Sequence, residues 1–168
     1  MERDEVLKAL KTAIEAEFIG HHFYKNAAQN VSDPRAKEAF ESLAQEEIGH
    51  FNYLRKQYKS VLEKGDYDFS ESIERSGSHS AESPIFSQEI KNRIKDAHFE
   101  VSVLTIAMKL EQDAVAFYKG MAEKAENEEA RALYEQLAQW EQGHYDAFAR
   151  ELEALKEDYW TANSFVPM

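Results

Sequence analysis

Residues 43–50 read LAQEEIGH, and residues 137–144 read LAQWEQGH. Both stretches end in a Glu-x-x-His motif. Residues three apart lie about 60° apart on one face of a helix, so the Glu and the His of each motif can point at one place. One such motif means little in a chain with 32 acidic residues. Two copies in the same local context indicate that a helix face with a function occurs twice in the chain. The motif residues are Glu47, His50, Glu141 and His144.

The two motifs belong to a longer internal repeat. A shift of 94 residues (141 − 47) aligns them without a gap and also places Glu17 on Glu111. In each half the upstream Glu precedes the motif by the same 30 residues (47 − 17 and 141 − 111). An internal repeat marks a repeated structural unit. Each half is therefore predicted to be one helical hairpin, and the two hairpins to form a four-helix bundle.

The hydrophobic pattern agrees with this organisation. Apolar residues recur every three or four positions in four long segments, as on one face of a helix. Asp33 followed by Pro34 predicts the start of the second helix, and Gly65 predicts its end. The serine-rich residues 66–83 predict a long exposed connection between the hairpins. We therefore expect an all-α, ferritin-like four-helix bundle. Its predicted parts are the bundle domain at 1–160, with hairpins at 4–64 and 87–158 and a crossover at 65–86, and a tail at 161–168.

The duplicated acids lie in the middle of the apolar stripes. A buried carboxylate without a partner is costly and would stay protonated. Two divalent cations would neutralise four such carboxylates, and oxygen ligands with one imidazole per metal suit iron or manganese better than structural zinc or calcium. Because a pair of iron or manganese ions can change oxidation state, the predicted site can take up and release two electrons. The predicted ligands are Glu17, Glu47, His50, Glu111, Glu141 and His144.

The repeat also sorts the remaining polar residues. Glu15 aligns with Lys109, and Glu46 aligns with Trp140. Because neither acid has an acidic counterpart, both are predicted to face solvent. His21 has no histidine counterpart and is expected to be a buried, hydrogen-bonded side chain rather than a seventh ligand. The other histidines off the stripes are expected at the surface or in the connection, and they are His22, His79 and His98.

A tyrosine follows each upstream Glu by seven residues, Tyr24 after Glu17 and Tyr118 after Glu111. Seven residues are two helical turns, so each tyrosine lies on the same face as its Glu. Either the rings pack in the core with a partner for the hydroxyl, or the hydroxyls orient ligand carboxylates of the metal site. We favour the second role and include both tyrosines among the predicted catalytic residues.

Composition limits the classes of function. The net charge is −12 and the pI is near 5.0, so an acidic surface would repel nucleic acid and anionic membranes. The chain begins without an apolar segment of the signal-peptide type and has no apolar stretch that could span a bilayer, so we expect a cytoplasmic protein. It contains no cysteine, which excludes disulfides, thiol catalysis and iron–sulfur or rubredoxin-type sites within it.

The motif set resembles the di-iron domain of rubrerythrin across residues 4–155. The shared features are the six ligands, the duplicated bundle and a Phe-Tyr-Lys sequence after each upstream Glu. The resemblance implies a peroxide reductase in which Glu17 and Glu111 are terminal ligands, the motif glutamates bridge two irons and each motif histidine binds one iron. An additional glutamate of rubrerythrins would fall at Ala114. The haem-binding methionine of the related bacterioferritins would fall at Ile48, so no haem is expected.

The resemblance implies reduction of hydrogen peroxide, or of dioxygen, with electrons from an external donor such as a rubredoxin-like protein. Two other functions fit the residues: a ferroxidase that handles iron for storage or delivery, and a scaffold that keeps a vestigial site. The symmetry of the ligand set predicts that both irons are held alike, which favours a retained cofactor over an iron substrate. We also expect a homodimer, with exchange of hairpins between chains as one way to form it.

Overall fold

The computed structural model describes residues 2–73, 84–92 and 97–162. Within these ranges the chain is mostly helical and contains no strand, as the sequence predicts. No helix in the described ranges is both long and apolar enough to cross a membrane. The last helix extends slightly into the predicted tail, and residues 163–168 lie outside the description. The helices are α1 (Arg3–Asn30), α2 (Pro34–Lys64), the short α3 (Glu89–Asn92), α4 (His98–Lys124) and α5 (Glu128–Ala162).

Local signals set the helix ends. The Asp33 side chain accepts a hydrogen bond from a backbone N–H in the first turn of α2, at 2.9 Å, and Pro34 opens that turn. Gly65 ends α2 in the left-handed conformation, with a φ of 84°. Asn127 plays the same part as Asp33 at the start of α5, where its Oδ1 accepts a first-turn N–H at 2.9 Å. The predicted start and end of α2 are therefore confirmed.

The helices pack as two hairpins, α1 with α2 and α4 with α5, and α1 also lies beside α4. Two apolar clusters fill the bundle. One contains the stacked rings of Tyr24, Phe40 and Phe148, and the other contains Tyr118 and Tyr134. Burial of such side chains is the main driving force for folding. The predicted ferritin-like four-helix bundle is confirmed, and the polar residues of the site contact both clusters through two tyrosines.

The start of the connection differs from the prediction. The sequence predicts an exposed segment at 66–83, but Tyr67 is half-buried against the second apolar cluster. The Gln57 side chain of α2 holds this segment, because its amide donates to the Asp68 carbonyl at 2.8 Å and accepts from the Asp68 N–H at 2.9 Å. Apolar residues scattered among the serines explain the difference, since they cover one end of the bundle. Residues 74–83 lie outside the described part of the chain.

Candidate metal centre

All six predicted ligands are buried and lie together inside the bundle. They form two overlapping groups, and within each group the ligand atoms lie within 4.8 Å of one another. Glu47 and Glu141 belong to both groups, which are the positions of carboxylates that could bridge two metal ions. The other four residues are placed to bind one ion each. The first group is completed by Glu17 and His50, and the second by Glu111 and His144.

Each histidine points its Nδ1 atom into the carboxylates. His50 Nδ1 lies 3.2 Å from Glu17 Oε2 and 3.3 Å from Glu141 Oε1. His144 Nδ1 lies 3.0 Å from Glu141 Oε2 and 3.6 Å from Glu111 Oε1. Helical spacing explains the contact within α5, since Glu141 and His144 are three residues apart. The Nδ1 atoms are therefore the imidazole atoms that could bind metal, whereas the Nε2 atoms point away from the carboxylates of the two ligand groups.

The pKa values of the site carboxyl groups are shifted because these groups are buried close to one another. Burial, followed by the charges of neighbouring acids with Glu141 first, raises the pKa of Glu47 well above its usual value. Burial and the charge of Glu141 also raise the pKa of Glu111, to about 8. Burial acts in the same direction on Glu141, but hydrogen bonds from His144 and His50 outweigh it and hold the pKa of this carboxyl well below its usual value.

The hydrogen bonds that lower the pKa of Glu141 raise the pKa values of the two imidazoles. Burial by itself lowers the pKa of His50, but hydrogen bonds to Glu141 and Glu17 outweigh it and raise this pKa to about 10. Burial likewise lowers the pKa of His144, and hydrogen bonds to Glu111 and Glu141 raise it well above the usual value. Without metal, protons therefore occupy the places at which cations would neutralise the carboxylates.

The donor set fits two divalent cations. Glu47 Oε1 and His50 Nε2 are buried and make no hydrogen bond within the described residues. A carboxylate oxygen without a partner inside a protein is costly unless a cation neutralises it. Two divalent ions carry four positive charges, which match four ionised glutamates. Carboxylate oxygens with one imidazole per ion are ligands that iron and manganese accept, so the cluster could hold a di-iron centre.

The two tyrosines contact ligand residues, but each contacts the upstream Glu of the other half of the repeat. Tyr24 donates a hydrogen bond from its hydroxyl to Glu111, and Tyr118 donates one to Glu17. A tyrosine two turns away on its own helix is about 10 Å further along the axis, whereas antiparallel α1 and α4 bring the crossed pairs level. Burial raises the pKa of both phenols well above its usual value. Both therefore stay protonated and fix the carboxylates that they contact.

Among the residues that the structure describes, a chain of tyrosines extends from the site on one side only. Tyr118 stacks on Tyr134 with ring centres 6.3 Å apart, and the Tyr134 hydroxyl lies 3.0 Å from the Tyr67 hydroxyl. Under the repeat shift Tyr134 corresponds to Phe40, which stacks on Tyr24 and has no hydroxyl. This difference between the halves is the one sequence signal for the chain of tyrosines. Nothing in the sequence places Tyr67, because it lies in a segment without a periodic pattern.

The sequence prediction for Glu46 is wrong. The repeat predicts that it faces solvent, but its side chain is 0% exposed and lies 3.2 Å from His144 Nε2. The reason is that α5 covers this face of α2. The corresponding residue of the second half is Trp140, whose ring stacks on His50 with centres 5.2 Å apart. The absence of an acidic counterpart therefore reflects different surroundings for the two imidazoles.

The remaining polar residues lie close to their predicted places. Glu15, His22 and His98 are exposed, as the repeat predicts. His21 is only half-buried, but it is hydrogen-bonded as predicted, since its Nδ1 lies 2.7 Å from a backbone carbonyl oxygen of α2. It belongs to neither ligand group. His79 lies outside the described residues.

A cavity of about 240 Å³ opens between α1 and α4 and reaches the ligands. Glu17, Glu47 and Glu111 line it, and the other lining side chains are mostly apolar. Gly20 and its repeat counterpart Ala114 also line it, and their small size keeps it open. A Cβ atom on Gly20 would lie only 2.7 Å from Glu47 Oε2. Gly20, whose role the repeat did not reveal, therefore makes room for a carboxylate that belongs to both ligand groups.

Gly20→Ala is expected to lower the affinity for metal by about tenfold or more. Alanine favours a helix by about 0.5–1 kcal/mol over glycine, so the variant should fold, but the new Cβ forces the Glu47 carboxylate to move. Gly120→Ala is the matched control, because a Cβ at this helical position meets no atom within 4 Å. Titration of both apo variants with Co²⁺, followed by absorbance, measures the difference. Equal affinities would contradict the role given to Gly20.

Known proteins share this arrangement of helices. The family model described as Rubrerythrin matches residues 8–152. A solved structure of a hypothetical protein from Pyrococcus furiosus is similar, with a TM-score of 0.66 and 29% sequence identity over 90% of each chain. No curated protein matches the chain.

Proposed function

The chain belongs to the rubrerythrin family, and from this premise we propose that it is a non-haem di-iron oxidoreductase that reduces hydrogen peroxide to water. The observation that carries the proposal is the buried six-ligand cluster, in which Glu47 and Glu141 are shared between two ligand groups. When bound, two ferrous ions supply one electron each, so that one hydrogen peroxide and two protons become two water molecules.

The side chains of the bundle hold and orient this centre. Glu47 and Glu141 would bridge the two positions, and Glu17 and Glu111 would each bind at one end. A tyrosine hydroxyl donates to each end carboxylate and stays protonated, so these carboxylates keep one orientation when the charge of the centre changes. Apart from the cavity between α1 and α4, the surrounding apolar clusters separate the ligands from bulk water. The chain thus supplies a preorganised, dry site for a two-electron reaction.

The cavity between α1 and α4 supports a small, uncharged oxidant. Its walls beyond the carboxylates are mostly apolar, and the one other acid that lines it, Asp113, pairs with Lys109 on the surface. An apolar passage penalises a divalent cation far more than a neutral molecule, because only the cation loses a strongly bound hydration shell. Hydrogen peroxide therefore suits this route better than a ferrous ion that must arrive in every cycle.

Electrons are proposed to come from an external donor such as a rubredoxin-like protein. The 168 residues contain no cysteine, so they offer no thiolate ligands for an iron–sulfur or rubredoxin-type centre. Transfer between two proteins requires that the donor dock on the surface near the bundle's buried site. The homodimer expected from the repeat would leave this requirement unchanged, and both the donor and the dimer remain predictions.

Oxidation of ferrous ions for storage or delivery is the second candidate, and one observation favours it. The two imidazoles have different outer neighbours, Glu46 and Trp140, and an iron substrate must be able to leave at least one position. A leaving ion also needs further ligands. Among the described residues, however, no additional group of metal-binding side chains adjoins the two ligand groups. Ferroxidase activity is therefore placed second.

Anaerobically reduced, iron-loaded protein is expected to react faster with hydrogen peroxide than with dioxygen, by on the order of tenfold, which corresponds to about 1.4 kcal/mol in the barrier. Both irons should stay bound, because all six ligands belong to the chain itself and are buried inside the bundle. Stopped-flow absorbance with each oxidant measures the rates. Iron analysis after repeated ferrous additions should still find about two irons per chain.

The exposed Glu15 provides the control, since Glu15→Gln should change neither rate nor iron content. A faster reaction with dioxygen would speak against peroxide as the oxidant. Accumulation of many irons per chain would instead support the iron-handling alternative.

A further inference from the structure

The outer edge of His144 faces a carboxylate. Its Nε2 lies 3.2 Å from Glu46 Oε2, and both side chains are almost completely buried. When Nδ1 binds a metal, a neutral imidazole carries its proton on Nε2, and this N–H donates to Glu46. A carboxylate in this position fixes the ring orientation and makes the ligand nitrogen more basic.

The outer edge of His50 faces no carboxylate within the described residues. Its Nε2 is buried and has no hydrogen-bond partner within the described residues. The Trp140 ring lies over the imidazole, with an angle of 11° between the planes. An indole N–H is a donor only, so Trp140 cannot accept the Nε2 proton. Stacking can orient the ring, but it adds no negative charge behind the ligand.

These two environments occupy equivalent positions of the repeat, because residue 46 and residue 140 are 94 apart. On the inner side each Nδ1 faces Glu141 and one carboxylate of its own group, and His144 Nδ1 also lies 3.9 Å from Glu47 Oε1. The larger difference lies on the outer side, where one imidazole faces a carboxylate at 3.2 Å and the other faces an indole ring. Loss of an outer partner of a ligating histidine typically lowers metal affinity by about 10–100-fold.

We infer that Glu46 and Trp140 make the two metal positions unequal: the position at His144 fills first and empties last, and the position at His50 holds the exchangeable ion. Glu46 acts as a positioning residue, since it reaches the metal only through His144. The inference rests on the proposed metal centre, but it does not depend on which oxidant the centre uses. It also replaces the expectation of two equivalent irons that the ligand pattern suggests.

Zinc titration of the apo protein tests the order of filling. Zn²⁺ is a suitable probe because it does not change oxidation state and binds both imidazole and carboxylate. Long-range ¹H–¹⁵N correlation spectra report the ring nitrogens of each histidine separately. We expect the first equivalent to shift the His144 ring and the second to shift the His50 ring, with affinities that differ by about 10–100-fold. Simultaneous shifts, the reverse order or absence of zinc binding would overturn the inference.

Three variants show whether the outer residues cause the order. Glu46→Gln keeps the shape and an acceptor oxygen but removes the charge, so the two rings should titrate nearly together. Trp140→Phe keeps an aromatic ring on His50 and should preserve the order. Glu15→Gln removes one negative charge at the surface and should also preserve it. An unchanged order in Glu46→Gln would show that Glu46 does not set it.

Trp140→Glu keeps the inference testable if Glu46→Gln does not fold. Position 140 is only half-buried, so it can accept a polar side chain more readily than position 46. A carboxylate there should raise the affinity of the His50 position and reduce the difference between the two rings. An unchanged difference would overturn the inference. Ordered zinc binding in a protein that does not reduce peroxide would refute the proposed function and leave the inequality of the positions established.

Discussion

Replacing Glu141 with glutamine is expected to remove both metal ions from the protein. Glu141 belongs to both ligand groups and contacts both imidazoles, at 3.3 Å from His50 and 3.0 Å from His144. An amide has nearly the same size, but it supplies one oxygen and no charge to a site that would need four negative charges. Metal analysis after anaerobic reconstitution with iron should find about two ions per wild-type chain and well under one per variant chain.

Two matched substitutions test whether the loss of metal ions is specific to the ligand residues. Glu17 belongs to one ligand group only, so Glu17→Gln should lose about one ion. Glu15 is exposed and two residues away on the same helix, so Glu15→Gln should keep both. Glu46 is unsuitable as a surface control because it is buried against His144. The ligand assignment is wrong if Glu141→Gln retains two ions or if Glu15→Gln loses them.

Removal of the metal is expected to lower the melting temperature by roughly 15–30 °C near neutral pH. A ligand present at a thousand times its Kd stabilises a protein by about 4 kcal/mol, so two ions contribute about 8 kcal/mol. A domain of this length shifts by about 2–4 °C for each kcal/mol. Scanning calorimetry of the apo and metal-saturated forms measures the shift. Equal melting temperatures would contradict a buried metal site.

The difference in melting temperature between the apo and metal-saturated forms should change with pH in one direction. In the folded apo protein the pKa of Glu111 is about 8, against an ordinary value of 4.5, so its contribution to stability is complete below pH 4.5 and is lost as pH rises through 8. The pKa of His50 is about 10, against 6.5, so its contribution is complete below pH 6.5 and is lost as pH rises through 10. The apo form should therefore become less stable with rising pH. Metal must displace the same protons, so its affinity should increase with pH.

We thus expect the difference in melting temperature to widen between about pH 5.5 and pH 8. Binding of two ions near pH 7 should release protons, with Glu111 and His50 among the groups that lose them. Titration calorimetry in buffers with different ionisation enthalpies counts them. Proton release near zero would show that the ligands are already deprotonated without metal.

The residues of the candidate metal centre could be predicted from the sequence because the chain carries the pattern twice. The 94-residue shift pairs only some of the 32 acidic residues with another acid. Position in an apolar stripe then separates the site glutamates from exposed pairs such as Glu41 with Glu135. The repeat and the apolar stripes together indicate the six residues that the bundle brings together. Helical periodicity and the signals at Asp33 and Gly65 were equally informative, since they act within a few residues of the chain.

The surroundings of the ligands could not be predicted in the same way. Glu46 has no acidic counterpart, but that fact says nothing about burial. It points about 100° away from the inward-facing Glu47, and only the packing of α5 decides whether that direction meets solvent or protein. Similarly, the partner of Tyr24 depends on the antiparallel packing of α1 and α4. Gly20 could have been recognised as a small residue opposite Ala114 in the repeat, but its contact with a ligand depends on three-dimensional packing.

The crossed hydrogen bonds, from Tyr24 to Glu111 and from Tyr118 to Glu17, are one interaction made twice about an approximate twofold axis. Under the repeat shift each bond becomes the other. A single hairpin docked on a copy of itself would therefore make both bonds and assemble all six ligands, whereas one hairpin alone is only a half-site. In such a pair every change would appear on both sides. Joining the copies in one chain removes that constraint, and at Glu46 the two halves have indeed diverged.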